Sequence, residues 1–246
     1  MRLLLSILLF STSAWADSVV SSDYEWRALM IAGDDSINNF DNGRKDLGSL
    51  FNEMGLLSSN QIHLSSMRRE QIAGVRAATL DNIAEGFADL SVAHNTTRTQ
   101  RACLAHMTSH GIRNGGFYLS MERRSALTSQ DLSTLVNEYC GDQPTVILIS
   151  ACFSGQFITE ELKGPNRVIM TAAIHDRPSF GCSPDYENTF WDNCLLSEIP
   201  NSETWTELGV RVNSCIERRE AELGVRPSLP QVFIGENMVE SRILMD

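Results

Sequence analysis

Short apolar runs alternate with longer amphipathic stretches along this chain. That order is typical of an α/β protein, in which crossover helices connect the strands of a sheet. The run TVILIS (145–150) is the clearest strand, because its apolar side chains do not alternate with polar ones, as expected of a central parallel strand covered on both faces. Six strands are predicted in all, over residues 26–32, 61–64, 102–108, 145–150, 167–171 and 231–234.

Amphipathic periodicity predicts helices between these strands, over 45–54, 69–90 and 129–139. Thr128 and Asp131 stand in capping-box spacing at the start of the third helix. A fourth helix follows Ser202 and stops at Gly224. Its apolar stripe is best explained by core packing and consists of Trp205, Leu208, Val212 and Ile216.

Together these elements predict an α/β three-layer sandwich, with a mostly parallel six-stranded sheet flanked by helices. A chain of 246 residues has the length of one domain, which we place at 17–246. The longest stretches without a predicted element are 93–101 and 176–190. Long irregular loops frequently carry binding function.

The first sixteen residues have the pattern of a signal peptide. Arg2 is followed by an apolar run over 3–10 and by Ala14-Trp15-Ala16, a small-x-small cleavage pattern. A membrane anchor is the alternative, but the apolar run is shorter than the roughly 20 residues that cross a bilayer. The pattern therefore predicts an exported protein, periplasmic or secreted, whose mature chain has no membrane span.

Acidic residues outnumber basic ones, and the formal net charge is −11 at pH 7. Such a surface repels phosphate groups, whereas binding to nucleic acid or anionic lipid usually needs a basic patch. Nucleic acid is therefore excluded as an expected partner. The sequence makes no prediction about the oligomeric state.

Two of the predicted strands end in reactive side chains. The strand 102–108 runs into Ser109-His110-Gly111, and the strand 145–150 runs into Ala151-Cys152. The carboxyl ends of neighbouring parallel strands converge on one crevice, so His110 and Cys152 are expected to meet. A thiolate can then attack a carbonyl while the imidazole handles the proton. Each residue alone is more often structural than catalytic, but their joint placement favours a catalytic pair.

A glycine after the histidine fits the same chemistry. Because Gly111 has no Cβ, its N–H can lie close to a developing oxyanion, beside the N–H of Cys152. Two other patterns carry less weight. His106 and His110 stand four apart on a strand, roughly 13 Å from each other at about 3.3 Å per residue, too far to share a metal ion. The sequence AGDDS (32–36) faintly resembles a serine-hydrolase turn, but no GxSxG motif accompanies it.

An exported chain can form disulfides, and this one has six cysteines. None shows CxxC spacing, so no structural zinc site is predicted, and no other metal or cofactor. If Cys152 is a free thiol, at least one more cysteine is unpaired within the monomer. Cys103 with Cys140 and Cys182 with Cys194 are the expected pairs, although sequence does not determine connectivity.

The pair of motifs SHG and SACFSG, each after an apolar strand, resembles the legumain (asparaginyl endopeptidase) family of the caspase-like clan of cysteine peptidases. NNFDNGRKD (38–46) and MTAAIHDRPSFGC (170–182) extend the similarity to nearly the whole mature chain. The resemblance implies a caspase-like fold and an exported bacterial member of the family.

Carried over residue by residue, the resemblance implies that His110 and Cys152 form the catalytic dyad, with Asn42 as the candidate that orients the histidine. Arg44 would line the pocket for the residue before the scissile bond. An arginine there grips a carboxylate or amide with two parallel hydrogen bonds, which predicts cleavage after Asp or Asn. The alternative for Arg44 is a helix-surface charge that faces Asp46 or water.

One position departs from the family. Legumain-type enzymes carry an acidic residue two positions before the cysteine, where this chain has Ser150. Without that negative wall, the substrate-binding pocket would favour Asp over Asn, unless Asp176, Asp185 or Glu187 replaces the charge.

The leading hypothesis is an endopeptidase that acts on protein or peptide substrates through a thioester acyl-enzyme. A transpeptidase would use the same dyad, with an amine in place of water. A different class of function is a peptide-binding protein that keeps the fold without turnover. Retention of both dyad residues favours the enzyme.

Overall fold

The computed structural model describes residues 24–92, 100–122 and 126–243. The predicted leader, 1–16, lies outside these residues. Among the residues described, no helix has the length and hydrophobicity to cross a membrane. The strands and helices are, in chain order, β1 (Tyr24–Ala32), α1 (Asn38–Glu53), β2 (Gln61–Ser65), α2 (Arg68–Ile72), β3 (Arg76–Ala77), α3 (Leu80–Leu90), β4 (Gln100–Thr108), β5 (Gly111–Ile112), β6 (Gly116–Tyr118), β7 (Ala126–Leu127), α4 (Ser129–Tyr139), β8 (Thr145–Ser150), β9 (Arg167–Thr171), α5 (Phe190–Glu198), α6 (Trp205–Leu223) and β10 (Gln231–Ile234).

The main sheet has the order β10-β9-β8-β4-β1-β2-β3, seven strands within the described part of the chain. All of its pairings are parallel except that of β10 with β9. All six predicted strands are present, which confirms the mostly parallel α/β sheet and is consistent with a caspase-like fold. The additional strand is β3, a two-residue edge strand that pairs with the end of β2. A small antiparallel sheet of β5, β6 and β7 lies apart from the main one.

Helices cover both faces of the main sheet and bury two apolar cores. On one face α1, α5 and α6 pack against the sheet around the fully buried Trp191 and Trp205. On the other face α3 and α4 pack around Phe87 and Leu132. The central strand β8 is buried along its whole length, as its unbroken apolar run predicts.

Two helices begin or end where the sequence predicts. The capping box at the start of α4 is formed, since Thr128 Oγ1 accepts from the Asp131 N–H and the Asp131 carboxylate accepts from the Thr128 N–H. Helix α6 stops at Gly224, which adopts the left-handed conformation with φ 63°.

Two helix predictions differ from the structure, and one further helix has no counterpart among the predictions. Helix α1 begins at Asn38 rather than at 45, because burial of Phe40 against the sheet outweighs the poor helix propensity of the asparagines. The predicted helix 69–90 is two helices, separated by Gly74 at φ 96° and by β3. Helix α5 was not predicted and follows directly on the long loop after β9.

Of the two expected disulfides, the structure confirms Cys103–Cys140, which links β4 to the end of α4. The expected bond between Cys182 and Cys194 is wrong, because Cys194 faces α6 across the core and pairs with Cys215 there. Cys182 therefore keeps a free thiol, as does Cys152.

Candidate active site

The two candidate catalytic side chains follow neighbouring strands of the sheet. Strands β4 and β8 are parallel, and Thr108 pairs in register with Ser150 at their ends. His110 and Cys152 each lie two residues beyond that pair. The Ser109 N–H donates to the Ser150 carbonyl at 3.1 Å, which keeps the two chain segments side by side past the last strand residues. Imidazole and thiol therefore lie at the same edge of the sheet.

Gly111 packs directly against the peptide of Cys152. A Cβ at this glycine would lie 1.8 Å from the Cys152 carbonyl oxygen and 3.0 Å from the Cys152 nitrogen, closer than real atoms approach. The chain then turns sharply at Phe153, a non-glycine residue in the left-handed region with φ 58°. Backbone strain of this kind is characteristic of functional sites, and here it follows the candidate nucleophile.

The thiol of Cys152 is half-buried and lies beside Ser179, in the long loop between β9 and α5. The Ser179 N–H donates to Sγ at 3.3 Å, and the Ser179 hydroxyl lies 3.7 Å from Sγ. The thiol in turn donates to the Ser179 carbonyl at 3.6 Å, so Ser179 fixes the position of the sulfur.

Asp34 and Phe40 flank the imidazole of His110. The Asp34 carboxylate lies 3.5 Å from His110 Nε2, and the edge of the Phe40 ring packs at 5.0 Å between ring centroids. Asp34 is itself held by the N–H and the hydroxyl of Ser36, at 3.0 and 2.9 Å. Asp34 was not predicted as a site residue, although it stands in the AGDDS sequence at the end of β1. Because β1 adjoins β4, position 34 falls at the same edge of the sheet.

Asn42, the residue expected to orient the histidine, has a different contact. Its side-chain amide donates to the Glu187 carbonyl at 2.9 Å, so it ties α1 to the loop after β9. Asn39, one helical turn earlier, does the same from a buried position and donates to the carbonyls of Gly181, Ser183 and Tyr186. The carboxylate of Asp34 stands beside the imidazole instead.

Arg44, the residue expected in the substrate pocket, is buried on α1, with only 2% of its surface exposed. The structure therefore excludes the alternative of a surface charge. Its three nitrogens contact Asp41 Oδ1 at 3.0 Å, Glu70 Oε2 at 2.9 Å and His63 Nδ1 at 2.9 Å. These partners belong to α1, to α2 and to β2, which lies on the other side of β1 from the dyad strands.

The Arg44 cluster has strongly perturbed acid–base properties. Burial and the neighbouring guanidinium lower the pKa of His63 to about 4, so its ring is neutral and accepts from Arg44. Burial alone would raise the pKa of the Asp41 carboxyl, but Arg44 and a hydrogen bond from Ser65 bring it below its usual value. The cluster is thus a largely buried ion-pair network, in which each guanidinium nitrogen of Arg44 has a protein partner.

Ser150, at the position where the family carries an acid, forms a buried hydroxyl pair with Thr189 at 2.9 Å. The fixed acid nearby is Asp192 on α5, which accepts from Thr108 Oγ1 at 2.8 Å and contacts His106 Nε2 at 2.9 Å. The imidazole of His106 is thus paired with the Asp192 carboxylate. Among the described residues, no group of three acidic, histidine or cysteine side chains is placed to hold a metal ion.

The second free thiol, Cys182, is poorly suited to act as a nucleophile. Burial raises its pKa to about 12, and electrostatic interactions with Cys152, Asp192 and Asp34 act in the same direction. At neutral pH Cys182 is therefore a thiol rather than a thiolate. Of the free cysteines in the described residues, this leaves Cys152 as the candidate nucleophile.

Comparison with known protein families supports a class for this protein. The model of the Peptidase C13 family matches residues 91–210, a segment that includes β4, β8 and the loop after β9. No curated protein matches the sequence significantly. The fold and the family match define the class of protein, a cysteine peptidase. More narrowly, the match over residues 91–210 supports a legumain-like cysteine peptidase, in agreement with the resemblance seen in the sequence.

Proposed function

We propose that the protein is a cysteine endopeptidase in which Cys152 is the nucleophile and His110 its proton-transfer partner. The observation that carries the proposal is the convergence of both residues at one edge of the sheet, with Gly111 packed on the Cys152 peptide. Neighbouring parallel strands place their C-terminal residues in a common crevice, which is where ligands bind in such sheets.

The reaction follows from these positions. The Cys152 thiolate attacks the peptide carbonyl, and the N–H groups of Gly111 and Cys152 stabilise the resulting oxyanion. When the C–N bond breaks, His110 donates a proton to the departing amine and a thioester remains on Cys152. Water, deprotonated by His110, then attacks the thioester and releases the acid together with the free thiol. If an amine attacks in place of water, the same dyad performs transpeptidation.

Asp34 is the positioning residue of this proposal. Asp34→Ala is expected to lower kcat by about ten-fold, the size of one carboxylate–imidazole contact, with little change in KM. Asp34→Asn keeps the shape of the side chain and its contact with Ser36, so it should restore part of kcat. Steady-state kinetics on one fluorogenic peptide measures both variants. If instead the two variants lose kcat to the same extent and also lower the melting temperature to the same extent, Asp34 has a structural role.

Export remains part of the proposal. The disulfides Cys103–Cys140 and Cys194–Cys215 support it, because such bonds form and persist in oxidising compartments outside the cytoplasm.

The sequence-based prediction of cleavage after Asp or Asn depends on Arg44. Since each nitrogen of its guanidinium already has a protein partner, we infer that Arg44 stabilises the fold. Arg44→Met should lower the free energy of unfolding by about 3 kcal/mol, because it removes the buried guanidinium that pairs with Asp41. The carboxylate then keeps only its longer contacts with Lys45 and Arg69 and the hydrogen bond from Ser65. The paired carboxylate stabilises the fold above its unfolded pKa. The loss should therefore be largest near neutral pH and shrink as the pH falls and Asp41 takes up a proton.

Chemical denaturation at several pH values measures this effect. Lys45→Met is the matched control, because Lys45 contacts the same Asp41 at 3.4 Å from a partly exposed position and should cost under about 1 kcal/mol. A stable Arg44→Met protein that loses only cleavage after Asp and Asn would return Arg44 to the substrate pocket.

A further inference from the structure

A cavity of about 490 Å³ lies between the residues that follow β1 and the loop that precedes α5. Both of its walls belong to chain segments that also contact the dyad. Asp35 lines one wall and adjoins Asp34, which contacts His110. The opposite wall, 184–187, belongs to the same loop as Ser179, which contacts the Cys152 sulfur. A substrate side chain near the reacting bond can therefore reach this cavity.

One residue that lines the cavity has a buried polar atom without a partner among the described residues. Asn39 is 1% exposed and lines the cavity, and its Nδ2 group is committed to three loop carbonyls. Its Oδ1 accepts no hydrogen bond. A buried acceptor without a donor is costly, so the site is suited to a ligand that brings N–H groups.

The charge around the cavity is negative. Asp35, Asp185 and Glu187 line it, and its lining contains no lysine, arginine or histidine. The neighbouring cation, Arg69, is engaged by Asn38 at 3.0 Å and by Glu70 at 3.6 Å. Within the described ranges no three acidic, histidine or cysteine side chains converge as metal ligands. The acids therefore fit an extended organic cation better than a metal ion.

We propose that this cavity is a subsite for an arginine or lysine side chain of the peptide substrate, close to the scissile bond. The inference rests on the proposed peptidase function. The cationic head would donate to Asn39 Oδ1 and face the three carboxylates, while its aliphatic stem packs on Ile37 and Met67, which also line the cavity.

Hydrogen bonds to helix α1 hold the loop wall of the subsite in place without a bound substrate. Besides the three hydrogen bonds of Asn39, the amide of Asn42 holds the Glu187 carbonyl at 2.9 Å, and Asn188 donates to Asp46 at 3.0 Å. Helix α1 thus fixes the loop along its length. A preformed site has little ordering entropy left to lose on binding, which favours selectivity at this position.

The test is a cleavage profile of the purified full-length chain on a mixed peptide library, with the products sequenced. Arginine and lysine should be enriched at one position within about three residues of the cut. A matched peptide with citrulline, the neutral analogue of arginine, should be cut with kcat/KM lower by about ten-fold, the value of one charge-assisted hydrogen bond. The ratio of kcat/KM for the arginine peptide to kcat/KM for the citrulline peptide should fall in high salt, since salt screens exposed carboxylates.

Substitutions at the cavity test whether its carboxylates cause the preference for a basic side chain. A triple variant, Asp35→Asn with Asp185→Asn and Glu187→Gln, should bring the arginine-to-citrulline ratio close to one. Glu217→Gln, which removes one exposed carboxylate from α6, is the control for long-range charge and should keep the ratio. Two outcomes would overturn the subsite but not the proposed peptidase function. In both, cleavage depends on Cys152; either no residue type is preferred near the cut, or the preference is for Asp or Asn alone. Failure to cleave any peptide in a Cys152-dependent way would overturn both.

Discussion

Cys152→Ala is expected to abolish peptide cleavage, with kcat lower by about 10⁴-fold or more, as for removal of the nucleophile in other covalent peptidases. The thiol forms the acyl bond, so nothing else in the site can replace it. The melting temperature should stay close to that of the wild type, because the side chain is half-buried and loses only one atom. Initial rates on a fluorogenic peptide and thermal unfolding measure the two effects.

Cys182→Ala is the matched control, since it removes the other free thiol, whose raised pKa keeps it protonated. It should retain activity. An irreversible thiol-reactive peptide probe should add to Cys152 in the wild type and in Cys182→Ala, but not in Cys152→Ala. Probe addition without turnover would favour a peptide-binding protein, and mass spectrometry of products with an added amine would reveal transpeptidation. Cleavage that survives Cys152→Ala would refute the proposed mechanism.

Gly111→Ala is expected to have the second large effect. The added Cβ would meet the Cys152 carbonyl oxygen at 1.8 Å and its carbonyl carbon at 2.7 Å, and neither can rotate away because both are backbone. The nucleophile, the oxyanion donors and His110 must then shift relative to one another. A displacement of about 1 Å in an active site costs about 10²-fold in rate, so kcat/KM should fall at least that far.

Gly164→Ala controls for the substitution itself. A Cβ there meets only Cγ of the Arg167 side chain, at 3.3 Å, a contact that a shift of a few tenths of an ångström relieves, so activity and melting temperature should change far less than in Gly111→Ala. For Gly111→Ala, circular dichroism separates a displaced site in a folded protein from global unfolding. Full activity in Gly111→Ala would show that the close approach to Cys152 has no part in catalysis.

The strands and most helices could be predicted from the sequence because the patterns that define them involve neighbouring residues. An apolar run such as 145–150 defines a buried central strand by itself, and the capping box of Thr128 and Asp131 closes within four residues. The helix 69–90 was predicted as one element because periodicity continues across Gly74 and the two-residue strand β3. A strand that short depends on pairing with its neighbour β2, which no local pattern reveals.

Within the candidate site, the sequence could place His110 and Cys152 at successive strand ends, since strand order in a parallel sheet follows from crossover connections. It could not assign partners that approach across layers. Asp34, which lies just beyond β1 and 76 positions earlier in the chain, contacts His110, and Arg44 turns toward Glu70 and His63 rather than the dyad. Such contacts depend on how a helix docks on a sheet.

By itself, the sequence determined the α/β class, the strands and the reactive residues that follow them, because hydrophobic periodicity and turn chemistry act over a few neighbouring residues. Only the tertiary structure decided that Cys194 bonds to Cys215, that Arg44 is an internal ion-pair partner, and that Asp34 stands beside the imidazole. These outcomes depend on distances between elements far apart in the chain, which are set when the helices close over the two faces of the sheet.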